Sequence, residues 1–440
     1  MFNVYIQGIG TFNRLLMNAL PAMSQLVSLR HLRAFLAVAD MGSVTKAADA
    51  LYRAQSAVTR SVRQLETTLG VDLFERKTSG MLRTAFGNLV LFRARRVLAE
   101  FEQGCDALAR ARVPMAMFNE RRLLCLVRLA ESGHMPTVAK TLGISQPAVS
   151  GFVNDLEASL GTNLFERSSK GMKPTEAGDI LVFRVKRALA ELRHIDADLA
   201  ALRGNTEGRV VIGALPLGRT AILPRAISDV LLRHPGLRFS TVEGPFDQLA
   251  AQLRAGDIDF VLGALRPADY ASDLSGEPLL DDQMSLVVRS GHPLTRRSGL
   301  GMADLVSARW VLANQSTPAR ALFDLSFQSL GLAAPRAAVE TSDLAILRGM
   351  LMHSDAITAI SPQQLSYEIE AGLLTVLDVE VPHTSRTIGI TQRSDSHASP
   401  GALELMATIR RFAATRSGCA QAHPPISKFE GLARDIAGRS

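Results

Sequence analysis

The sequence has few of the features that mark secreted or membrane-spanning proteins. Its three cysteines, Cys105, Cys125 and Cys419, are odd in number and form no paired motif. This argues against a disulfide framework and suits a reducing compartment, with the thiols serving as packing or surface groups. No apolar run reaches the roughly 18 residues that cross a bilayer, and the first residues lack the Lys or Arg of a signal peptide. We therefore expect a cytoplasmic protein with no membrane partner.

Catalytic and metal-binding motifs are also missing from the sequence. It has no P-loop, no HExxH and no CxxC pair, and its nine histidines are scattered. Asp257 and Asp259 alternate at the start of an apolar run, which is typical of turn and strand-end residues rather than of an acid and base pair. We therefore predict no enzymatic activity, no cofactor and no metal site.

What the sequence does contain is length, apolar content and positive charge. With 440 residues, 47% of them hydrophobic, the chain is long enough for three or more domains. The formal net charge is +7 and the isoelectric point is near 9.6, which favours a polyanionic partner. The segment 23–113 is the more basic part of the N-terminal half, with about 14 Lys and Arg against about 8 Asp and Glu.

The N-terminal half contains the same unit twice. Residues 69–76 read LGVDLFER and residues 160–167 read LGTNLFER, so the two occurrences are 91 positions apart. The same spacing aligns 30–108 with 121–199 without a gap. A period this long exceeds that of solenoid repeats, so we interpret it as a duplicated domain.

Each copy has the pattern of three short helices followed by a hairpin. In the first copy, apolar residues recur at helical spacing from Leu29 to Ala39, and Gly42 ends this helix. A second helix begins at Ser43, and alanines on its inner face allow a third helix to cross closely, as in a helix-turn-helix. The third helix, QSAVTRSVRQLETTLG, turns amide, hydroxyl and guanidinium groups outward, which can read base edges and hold phosphates in a major groove. A solvated polar face is the alternative interpretation.

A basic hairpin, LFERKTSGMLRT, follows the third helix. Ser79 and Gly80 supply its turn, and its cations are placed to contact phosphates beside the groove, which gives affinity and register without sequence specificity. The predicted DNA-contacting residues of the first copy are Thr45, Lys46, Gln55, Ser56, Thr59, Arg60, Arg63, Arg76, Lys77 and Arg83.

These motifs resemble the winged helix-turn-helix domain of LysR-type transcriptional regulators. The second copy carries the family pattern as LGISQPAVS at 142–150 and LEASLGTNLFERSSKGMKPTEAG at 156–178, and the first copy carries GSVTKAADAL, LETTLG and LFER. The resemblance implies a sequence-specific transcriptional regulator whose partners are double-stranded DNA and the transcription machinery. It also implies two tandem α-helical winged domains, where the family usually has one. The matching DNA-contacting residues of the second copy are Ser145, Gln146, Pro147, Ser150 and Lys170.

The two copies have diverged on the face where DNA would lie. Arg60 and Arg63 of the first copy align with Gly151 and Asn154 of the second, which also gains Asp155. The second copy thus loses cations and acquires a carboxylate that repels phosphate. We therefore predict that the first copy is the stronger DNA reader and the second is weaker or auxiliary. A purely structural packing role for the second copy is an alternative of nearly equal weight.

The linker helix after each hairpin has an apolar stripe. In the second copy the stripe alternates steps of four and three, a heptad seam typical of paired helices. In the first copy Gly104 replaces Ile195, which costs about 1 kcal/mol of helix propensity as well as a core contact. We therefore predict that the second helix pairs subunits into a homodimer or homotetramer and that the first folds against its own chain, with intramolecular packing as the alternative for either. The predicted dimerisation residues are Leu181, Val185, Ala188, Leu192, Ile195, Leu199 and Leu202.

From Arg209 onward, strand-like runs alternate with amphipathic helical segments. The runs RVVIGA, LRFSTVE, DFVLG, MSLVV, WVLA, AITAIS and TIGITQ predict an α/β architecture with parallel strands. GRVVIGALPLG, ILPRAISDVLLRHPGLRFSTVEG and LRAGDIDFVLGALRP resemble the LysR-type effector-binding domain. That resemblance implies two subdomains related to periplasmic solute-binding proteins, with the chain crossing near 264–267 and returning near 379–387.

A small-molecule effector is expected where loops follow the carboxyl ends of the strands. Hydroxyls and backbone amides there suit a small organic or aromatic acid, and Arg219 is placed to offset the charge of Glu243. Helix capping is the alternative role for each of these residues. The predicted effector-binding residues are Leu215, Pro216, Leu217, Glu243, Gly244, Gln315, Ser316, Thr317 and Ser361.

The predicted domains follow from these patterns. They are an extension at 1–23 for which disorder is one interpretation, winged helix-turn-helix domains with linker helices at 24–113 and 114–204, an effector-binding domain at 208–417 and a tail at 418–440. Subdomain 1 covers about 208–265 and 383–417, and subdomain 2 about 266–382. Three functions remain open: a regulator gated by an effector, an effector-independent DNA-binding repressor or architectural protein, and a small-molecule binding protein that uses the duplicated domains for protein contacts.

Overall fold

The structure is a computed structural model that describes residues 27–77, 80–169, 171–267 and 269–420. The extension at 1–23, Ser79, Lys170 and all but the first residues of the tail lie outside the described residues. The chain divides into two compact units. Of the described residues, the first unit contains those up to Gly213, His234–Asp259 and His397–Leu403, and the second contains Ala214–Arg233, Phe260–Ser396 and 404–420.

In the N-terminal half the same series of elements occurs twice. The first series is α1 (Leu29–Met41), α2 (Val44–Ala50), α3 (Gln55–Leu69), β1 (Phe74–Lys77), β2 (Gly80–Arg83) and α4 (Ala85–Ala107). The second is α5 (Glu120–Ser132), α6 (Met135–Leu142), α7 (Gln146–Leu160), β3 (Phe165–Ser168), β4 (Gly171–Pro174) and α8 (Glu176–Leu202). β1 pairs with β2 and β3 with β4, both antiparallel. Each predicted helix and hairpin of the repeat thus has a counterpart in the structure.

One carboxylate in each copy joins the third helix to the hairpin. Glu66 accepts the backbone N–H groups of Leu73 and Phe74 at 2.9 and 3.3 Å. Glu157 makes the same two contacts 91 positions later, at 2.7 and 3.2 Å. The carboxylate satisfies two backbone donors at the entry to the hairpin, which explains why both copies carry Glu at this distance from LFER.

A glycine in the first turn of each linker helix permits a close approach to the preceding chain. A Cβ atom at Gly87 would lie 2.1 Å from the carbonyl oxygen of Leu73. At Gly178 it would lie 2.0 Å from the carbonyl oxygen of Leu164. Neither position accepts a side chain without backbone movement.

The linker helices α4 and α8 pack against each other. Gly104 near the end of α4 faces Leu181 and Arg184 near the start of α8. Arg93 near the start of α4 instead contacts Asp198 near the end of α8. The two helices are therefore antiparallel, and their apolar faces belong to one continuous core that includes both three-helix groups.

From Gly208 onward, strands and helices alternate as predicted. The strands are β5 (Gly208–Ala214), β6 (Leu237–Val242), β7 (Phe260–Ala264), β8 (Leu274–Asp282), β9 (Ser285–Arg289), β10 (Arg309–Leu312), β11 (Ala337–Glu340), β12 (Ala356–Ile360), β13 (Leu374–Val376) and β14 (Arg386–Arg393). The helices are α9 (Leu223–Arg233), α10 (Phe246–Ala255), α11 (Pro318–Ser329), α12 (Leu344–His353), α13 (Ser366–Glu370) and α14 (Pro400–Ala420). A π-helical turn spans Gly218–Ile222 and a 3-10 turn spans Pro362–Leu365.

The strands of this half form two five-stranded sheets. One sheet has the order β11-β10-β12-β9-β13, in which β10 is parallel to β11 and β12 while β9 is antiparallel to β12 and β13. Within the first unit, β5 and β6 form a parallel pair. Within the second unit, β14 lies between β7 and β8 and is antiparallel to both. The strands are therefore mixed in direction, and the prediction of parallel strands holds for only part of them.

Three strands, β8, β11 and β13, have no counterpart in the sequence prediction. All three lie at the edges of their sheets. Edge strands have one open side, so they lack the continuous apolar pattern by which buried strands are recognised. β8 also contains Pro278, a residue that sheets tolerate at an edge.

The position of β8 corrects the predicted crossing between subdomains. The sequence places the crossing near 264–267, but β8 pairs with β14, which also pairs with β7. The chain enters the other sheet only with β9, so the crossing follows Asp282. The return falls between β13 and β14, close to the predicted 379–387.

Candidate DNA interface and effector-binding region

The third helix of the first copy presents an exposed polar face. The predicted contact residues Gln55, Ser56, Arg60 and Arg63 are exposed, Thr59 is half-buried, and Thr45 and Lys46 of α2 are exposed. The opposite side of α3 is buried through Val58, Val62, Leu65 and Leu69. Neither Arg60 nor Arg63 has an ion-pair partner among the described residues, so both guanidinium groups are available to an anionic partner.

Arg83 of the hairpin has hydrogen-bond partners within the first copy. The guanidinium of Arg83 donates to Asn88 Oδ1 at 2.9 Å and to the carbonyl oxygen of Ala39 at 2.8 Å. Ala39 lies in the last turns of α1, so this cation also complements the negative end of that helix. Arg76 and Lys77 lie in β1. The phosphate contacts of these three residues stay predictions.

The third helix of the second copy is less cationic. Gln146 and Pro147 are exposed and Ser150 is half-buried. The hydroxyl of Ser145 accepts the Ala148 N–H at 3.3 Å and so serves as the N-cap of α7. Capping thus already employs one of the predicted contact residues, and Gln146 and Ser150 offer an amide and a hydroxyl group without charge.

The carboxylate that distinguishes the second copy has a cationic partner. Asp155 forms an ion pair with Arg122, whose guanidinium lies 6.0 Å from the centre of the Phe152 ring. The predicted repulsion of phosphate by Asp155 is therefore weaker than an unpaired carboxylate would give. The main difference between the copies is the loss of two guanidinium groups from the exposed face.

The turn between α2 and α3 carries an exposed aromatic ring that the sequence analysis missed. Tyr52 is 96% exposed and has a φ of 50°, in the left-handed region that residues other than glycine rarely adopt. The aligned residue of the second copy is Gly143, with a φ of 63°. This exposed tyrosine lies three residues before the start of α3. The glycine at the aligned position is the sequence signal that points to this strain.

The apolar seam of α8 is covered by α4 of the same chain. Of the predicted dimerisation residues, Leu181, Val185, Ala188, Leu192, Ile195 and Leu199 are buried, and Leu202 is 47% exposed. The facing stripe of α4 is buried at Val90, Ala94, Val97 and Phe101. Intramolecular packing, the alternative interpretation, therefore describes both stripes in this structure. A role of the seam in pairing two subunits stays a prediction, and it requires α4 to be exchanged between chains.

The first group of predicted effector residues follows β5. Pro216 is exposed, Leu215 is half-buried and Leu217 is buried. The N–H of Leu215 donates to the carbonyl oxygen of Leu262 in β7 at 3.0 Å. This bond fixes the loop that leads into the π-helical turn.

The other predicted effector loops begin after β6 and β10. Glu243, Gln315 and Ser316 are exposed, and Gly244 is half-buried. The hydroxyl of Thr317 accepts the Arg320 N–H at 3.3 Å and caps α11. Capping was the alternative role for this residue, and contact with an effector stays a prediction for all four positions and for Thr317.

Ser361 is fully buried and has a carboxylate partner. Its hydroxyl donates to Asp282 Oδ1 at 2.5 Å, and Arg386 donates to Asp282 Oδ2 at 3.0 and 2.9 Å. Burial raises the pKa of Asp282, against the opposing influence of Ser361 and Arg386. Ser361 therefore joins the end of β12 to the end of β8, and Arg386 joins the same carboxylate to the start of β14.

Two of the predicted effector loops are neighbours within the second unit. The 3-10 turn Pro362–Leu365, which follows Ser361, contacts the π-helical turn Gly218–Ile222, which follows Leu217. This juxtaposition brings backbone groups from both turns to one place.

Helix α8 also contacts the segment that leads into β7. Lys186 Nζ lies 2.9 Å from Asp257 Oδ2, and His194 Nε2 lies 3.3 Å from Asp259 Oδ1. Asp259 further accepts the N–H of Val211 at 2.7 Å. Burial alone would raise the pKa of Asp259, but the hydrogen bond and charge of His194 hold it below its ordinary value. The two aspartates thus tie the linker helix to the effector-binding part of the first unit.

Cys105 and Cys125 are both buried. Burial raises the pKa of Cys105, and it raises the pKa of Cys125 to about 12, which makes both thiols poor nucleophiles. Within the described ranges, no group of three or more His, Cys, Asp or Glu side chains is arranged to hold a metal ion. In the same part of the chain, no helix has the length and apolar character needed to cross a membrane.

Comparison with known proteins gives matches along most of the chain. A model of the bacterial regulatory helix-turn-helix protein, lysR family, matches residues 29–88 and 121–179, and a model of the LysR substrate binding domain matches 203–414. The chain is 48% identical over 388 residues to the HTH-type transcriptional regulator GalR of Pseudomonas putida, which covers 88% of this chain and 98% of the relative. It is 31% identical over 294 residues to the HTH-type transcriptional regulator PcaQ of Agrobacterium fabrum, which covers 67% of this chain and 94% of the relative. The fold is similar to that of full-length OxyR from Pseudomonas aeruginosa, with a TM-score of 0.50 and 23% identity over 66% of this chain and 97% of that chain.

A helix-turn-helix region followed by an α/β effector-binding domain with two sheets defines a class of transcriptional regulator. The chain belongs to the LysR family of HTH-type transcriptional regulators. These relatives are named as regulators and not as enzymes, which agrees with the absence of catalytic motifs from the sequence.

Proposed function

We propose that the chain reads DNA through a winged helix-turn-helix domain in its first copy and that the second copy is a weaker tandem domain. The contrast between the exposed faces of α3 and α7 supports this assignment. Arg60 and Arg63 are exposed on α3, whereas α7 has Gly151 and Asn154 at the aligned positions. Guanidinium groups supply both attraction to phosphate and hydrogen bonds to base edges.

The proposed domain limits are 24–113 and 114–204 for the tandem domains and 208–417 for the effector-binding domain. The family matches at 29–88, 121–179 and 203–414 support these limits. A regulator of bacterial genes acts where the chromosome lies, so we assign the chain to the cytoplasm. A homodimer or homotetramer stays the predicted assembly.

We further propose that a small organic or aromatic acid controls DNA binding. The match to a substrate binding domain supports a small-molecule ligand. The contacts of α8 with Asp257 and Asp259 support a coupling, because a ligand that displaces this segment also displaces the linker helix. An effector-independent repressor, or a binding protein whose duplicated domains contact only other proteins, are the alternatives.

Replacing Arg60 and Arg63 together by alanine is expected to weaken operator binding at least tenfold, because each guanidinium contact is worth about 1–3 kcal/mol. Genomic binding-site mapping supplies the operator, and fluorescence anisotropy at two salt concentrations measures the affinity. The salt dependence of binding should also decrease, since fewer counterions are released.

Arg297→Ala is the matched control for this experiment. Its side chain is 57% exposed and faces Asp304 at 3.7 Å, so the substitution removes a cation outside the proposed interface. We expect wild-type affinity for this variant. Unchanged affinity of the Arg60 and Arg63 double variant would reject the first copy as the main reader. Absence of salt-dependent DNA binding by the wild type would favour the protein-contact alternative.

Benzoate or succinate is expected to raise the thermal midpoint of the full chain and to change the length of its footprint. A ligand at about 100 times its Kd stabilises the folded state by about 2.7 kcal/mol. Benzyl alcohol is the neutral control and is expected to have no effect. Stabilisation by the alcohol but by neither acid would contradict the assignment to an organic acid. A ligand that stabilises the chain but leaves the footprint length unchanged would favour the effector-independent alternative.

A further inference from the structure

Two arginines of α4 share one buried carboxylate of α8. Arg93 Nη1 lies 2.7 Å from Glu191 Oε2, and Arg96 Nε lies 2.8 Å from Glu191 Oε1. Arg93 and Glu191 are both buried. Solvent therefore screens this cluster little, and it links the two copies at a specific register.

The reverse arrangement occurs farther along the same helix pair. Arg184 Nη1 lies 3.1 Å from Glu100 Oε2, and Arg187 Nε lies 2.6 Å from Glu100 Oε1. These arginines are 91 positions after those of the first cluster, and Glu100 is 91 positions before Glu191. The same atoms of equivalent residues thus meet twice, as they do across the two-fold axis of a dimer of identical subunits.

The centre of the helix pair fits the same symmetry, whereas the contact of Arg93 with Asp198 has no counterpart, because the residue of α4 aligned with Asp198 is Ala107. Each helix has one central position, which is Val97 in α4 and Ala188 in α8. In each helix the two arginines come before this position and the glutamate comes after it. Val97 and Ala188 are also 91 positions apart, and both are buried. The α4 and α8 contact therefore has an approximate two-fold axis near its middle.

The symmetry extends approximately to the third helices, since the equivalent Gly70 and Gly161 each accept from an arginine of the other copy's linker, but the two arginines are not aligned with each other. Arg203, directly after α8, donates to the carbonyl oxygens of Leu69 and Gly70 at the end of α3, at 3.1 and 2.9 Å. Arg110, shortly after α4, donates to the carbonyl oxygen of Gly161 at the end of α7, at 3.0 Å. Each linker thus places a cation at the negative end of the other copy's third helix.

We infer that the two copies within a single chain pair with each other as the two subunits of a dimer do. One chain therefore binds a DNA site composed of two unequal half-sites. This inference rests on the DNA-reading role proposed above. Helix α4 has 23 residues and is about 34 Å long at 1.5 Å per residue. Because the helices are antiparallel, the ends of α3 and α7 lie at opposite ends of this pair, beside Arg203 and Arg110. The two three-helix groups also touch, where the Leu29 N–H lies 3.4 Å from Glu120 Oε2. Half-sites one turn of DNA apart are separated by about 34–36 Å.

The half-sites are unequal because the two reading faces differ. The first copy offers the guanidinium groups of Arg60 and Arg63, and the second offers the amide of Gln146 and the hydroxyl of Ser150. One bound chain therefore has a direction along the DNA.

A disulfide across the linker pair tests whether the pairing forms within one chain. A Cβ at Gly104 would lie 3.3 Å from the Cβ of Arg184, near the typical disulfide separation of about 3.8 Å. The experiment uses Gly104→Cys with Arg184→Cys in the full chain, after replacement of Cys105, Cys125 and Cys419 by alanine. On oxidation we expect loss of both free thiols, the mass of one chain on a non-reducing gel, and retained operator affinity.

A covalent product of two chains would show that the helices pair between chains and would overturn the inference. Two thiols that stay free after oxidation would also overturn it, provided that circular dichroism shows a folded chain. Gly104→Cys alone, in the same background, is the control and should keep one free thiol at the mass of one chain. Cross-linking requires no DNA, so its outcome is separate from that of the Arg60 and Arg63 experiment.

A footprint on the mapped operator tests the two half-sites. We expect Arg60→Ala to raise the protein concentration that protects one half of the site at least fivefold, with a much smaller effect on the other half. Gln146→Ala with Ser150→Ala should have the opposite pattern. If either variant lost protection of both halves of the site to the same extent, the inference would be overturned. It would also be overturned if the Gln146→Ala and Ser150→Ala variant protected both halves as the wild type does.

Discussion

Replacing Glu191 by alanine is expected to lower the free energy of unfolding of the full chain by about 3 kcal/mol, because breaking a buried ion pair costs about 3–5 kcal/mol. The substitution removes one of the two carboxylates that face the buried guanidinium of Arg93. The lower end of the range applies because Asp198 Oδ2 still lies 2.6 Å from Arg93, and Arg96 is exposed enough to turn towards water. Urea denaturation at neutral pH measures the change.

The control for Glu191→Ala is Asp40→Ala. Asp40 forms an ion pair of 2.7 Å with Arg95 in which both side chains are exposed, so its removal should cost less than about 1 kcal/mol. Equal losses in the two variants would show that burial does not strengthen the Glu191 cluster.

The pH dependence of the Glu191 effect follows from the direction of its pKa. Burial alone would raise the pKa of Glu191, but the hydrogen bonds and charges of Arg93 and Arg96 outweigh burial and hold it below the ordinary 4.5. A carboxyl group with a lowered folded-state pKa contributes stability above its unfolded pKa and loses it as the pH falls through the folded-state pKa. The difference between wild type and Glu191→Ala should therefore be full above pH 4.5 and shrink below it. A difference that stays constant into acid would mean that the side chain acts through packing alone.

Replacing Leu192 by alanine is also expected to destabilise the chain by about 3 kcal/mol, within the range of about 2–5 kcal/mol for truncating a buried leucine. Leu192 is 2% exposed and lies in the stripe that faces α4. Thermal and urea unfolding of the full chain provide the measurement. Leu202→Ala is the matched control, because this leucine continues the same heptad but is 47% exposed, and its truncation should change stability by less than about 0.5 kcal/mol.

Protein concentration distinguishes a core residue from a subunit contact. If Leu192 packs within its own chain, the difference in thermal midpoint between wild type and Leu192→Ala does not depend on protein concentration. A stripe that joined two chains would instead give a difference that changes with concentration, because dissociation follows mass action. A concentration-dependent difference would contradict the packing seen in the structure.

Local features of the sequence are sufficient to predict the helices of the repeat. Gly42 ends α1 with a φ of 63°, and Ser43 caps α2 by accepting the N–H of Lys46. Helix α3 runs from Gln55 to Leu69, as its apolar spacing predicts. Periodicity and capping act over a few residues, so they can be recognised without knowledge of tertiary contacts.

The strands show where sequence patterns are insufficient. Every run predicted as a strand corresponds to one in the structure, whereas the edge strands β8, β11 and β13 were missed. Because β8 is not recognised in the sequence, the crossing is predicted at 264–267, whereas in the structure it follows Asp282. An edge strand is defined by its neighbour in space more than by its own composition, so its pattern is weak.

Site residues also depend on tertiary contacts. The place of Ser361 after a strand predicts an effector contact, and the structure adds that its hydroxyl donates to Asp282, which lies far away in the sequence. Tyr52 was missed because its exposure and its strained φ arise from the path of the turn. The effector contacts stay predictions, and the candidate DNA face of α3 is the part of the site that local sequence indicates best.

The sequence by itself determined that the chain contains a duplicated unit and that the third helix of the first copy has a cationic outer face. It also determined that each linker helix carries an apolar stripe. Only the tertiary structure decided what covers those stripes. Helix α4 covers α8 of the same chain, and Glu100 and Glu191 each receive two arginines from the other copy. The physical reason is that apolar periodicity fixes which face of a helix leaves water, but it is the same whether the partner belongs to the same chain or to another.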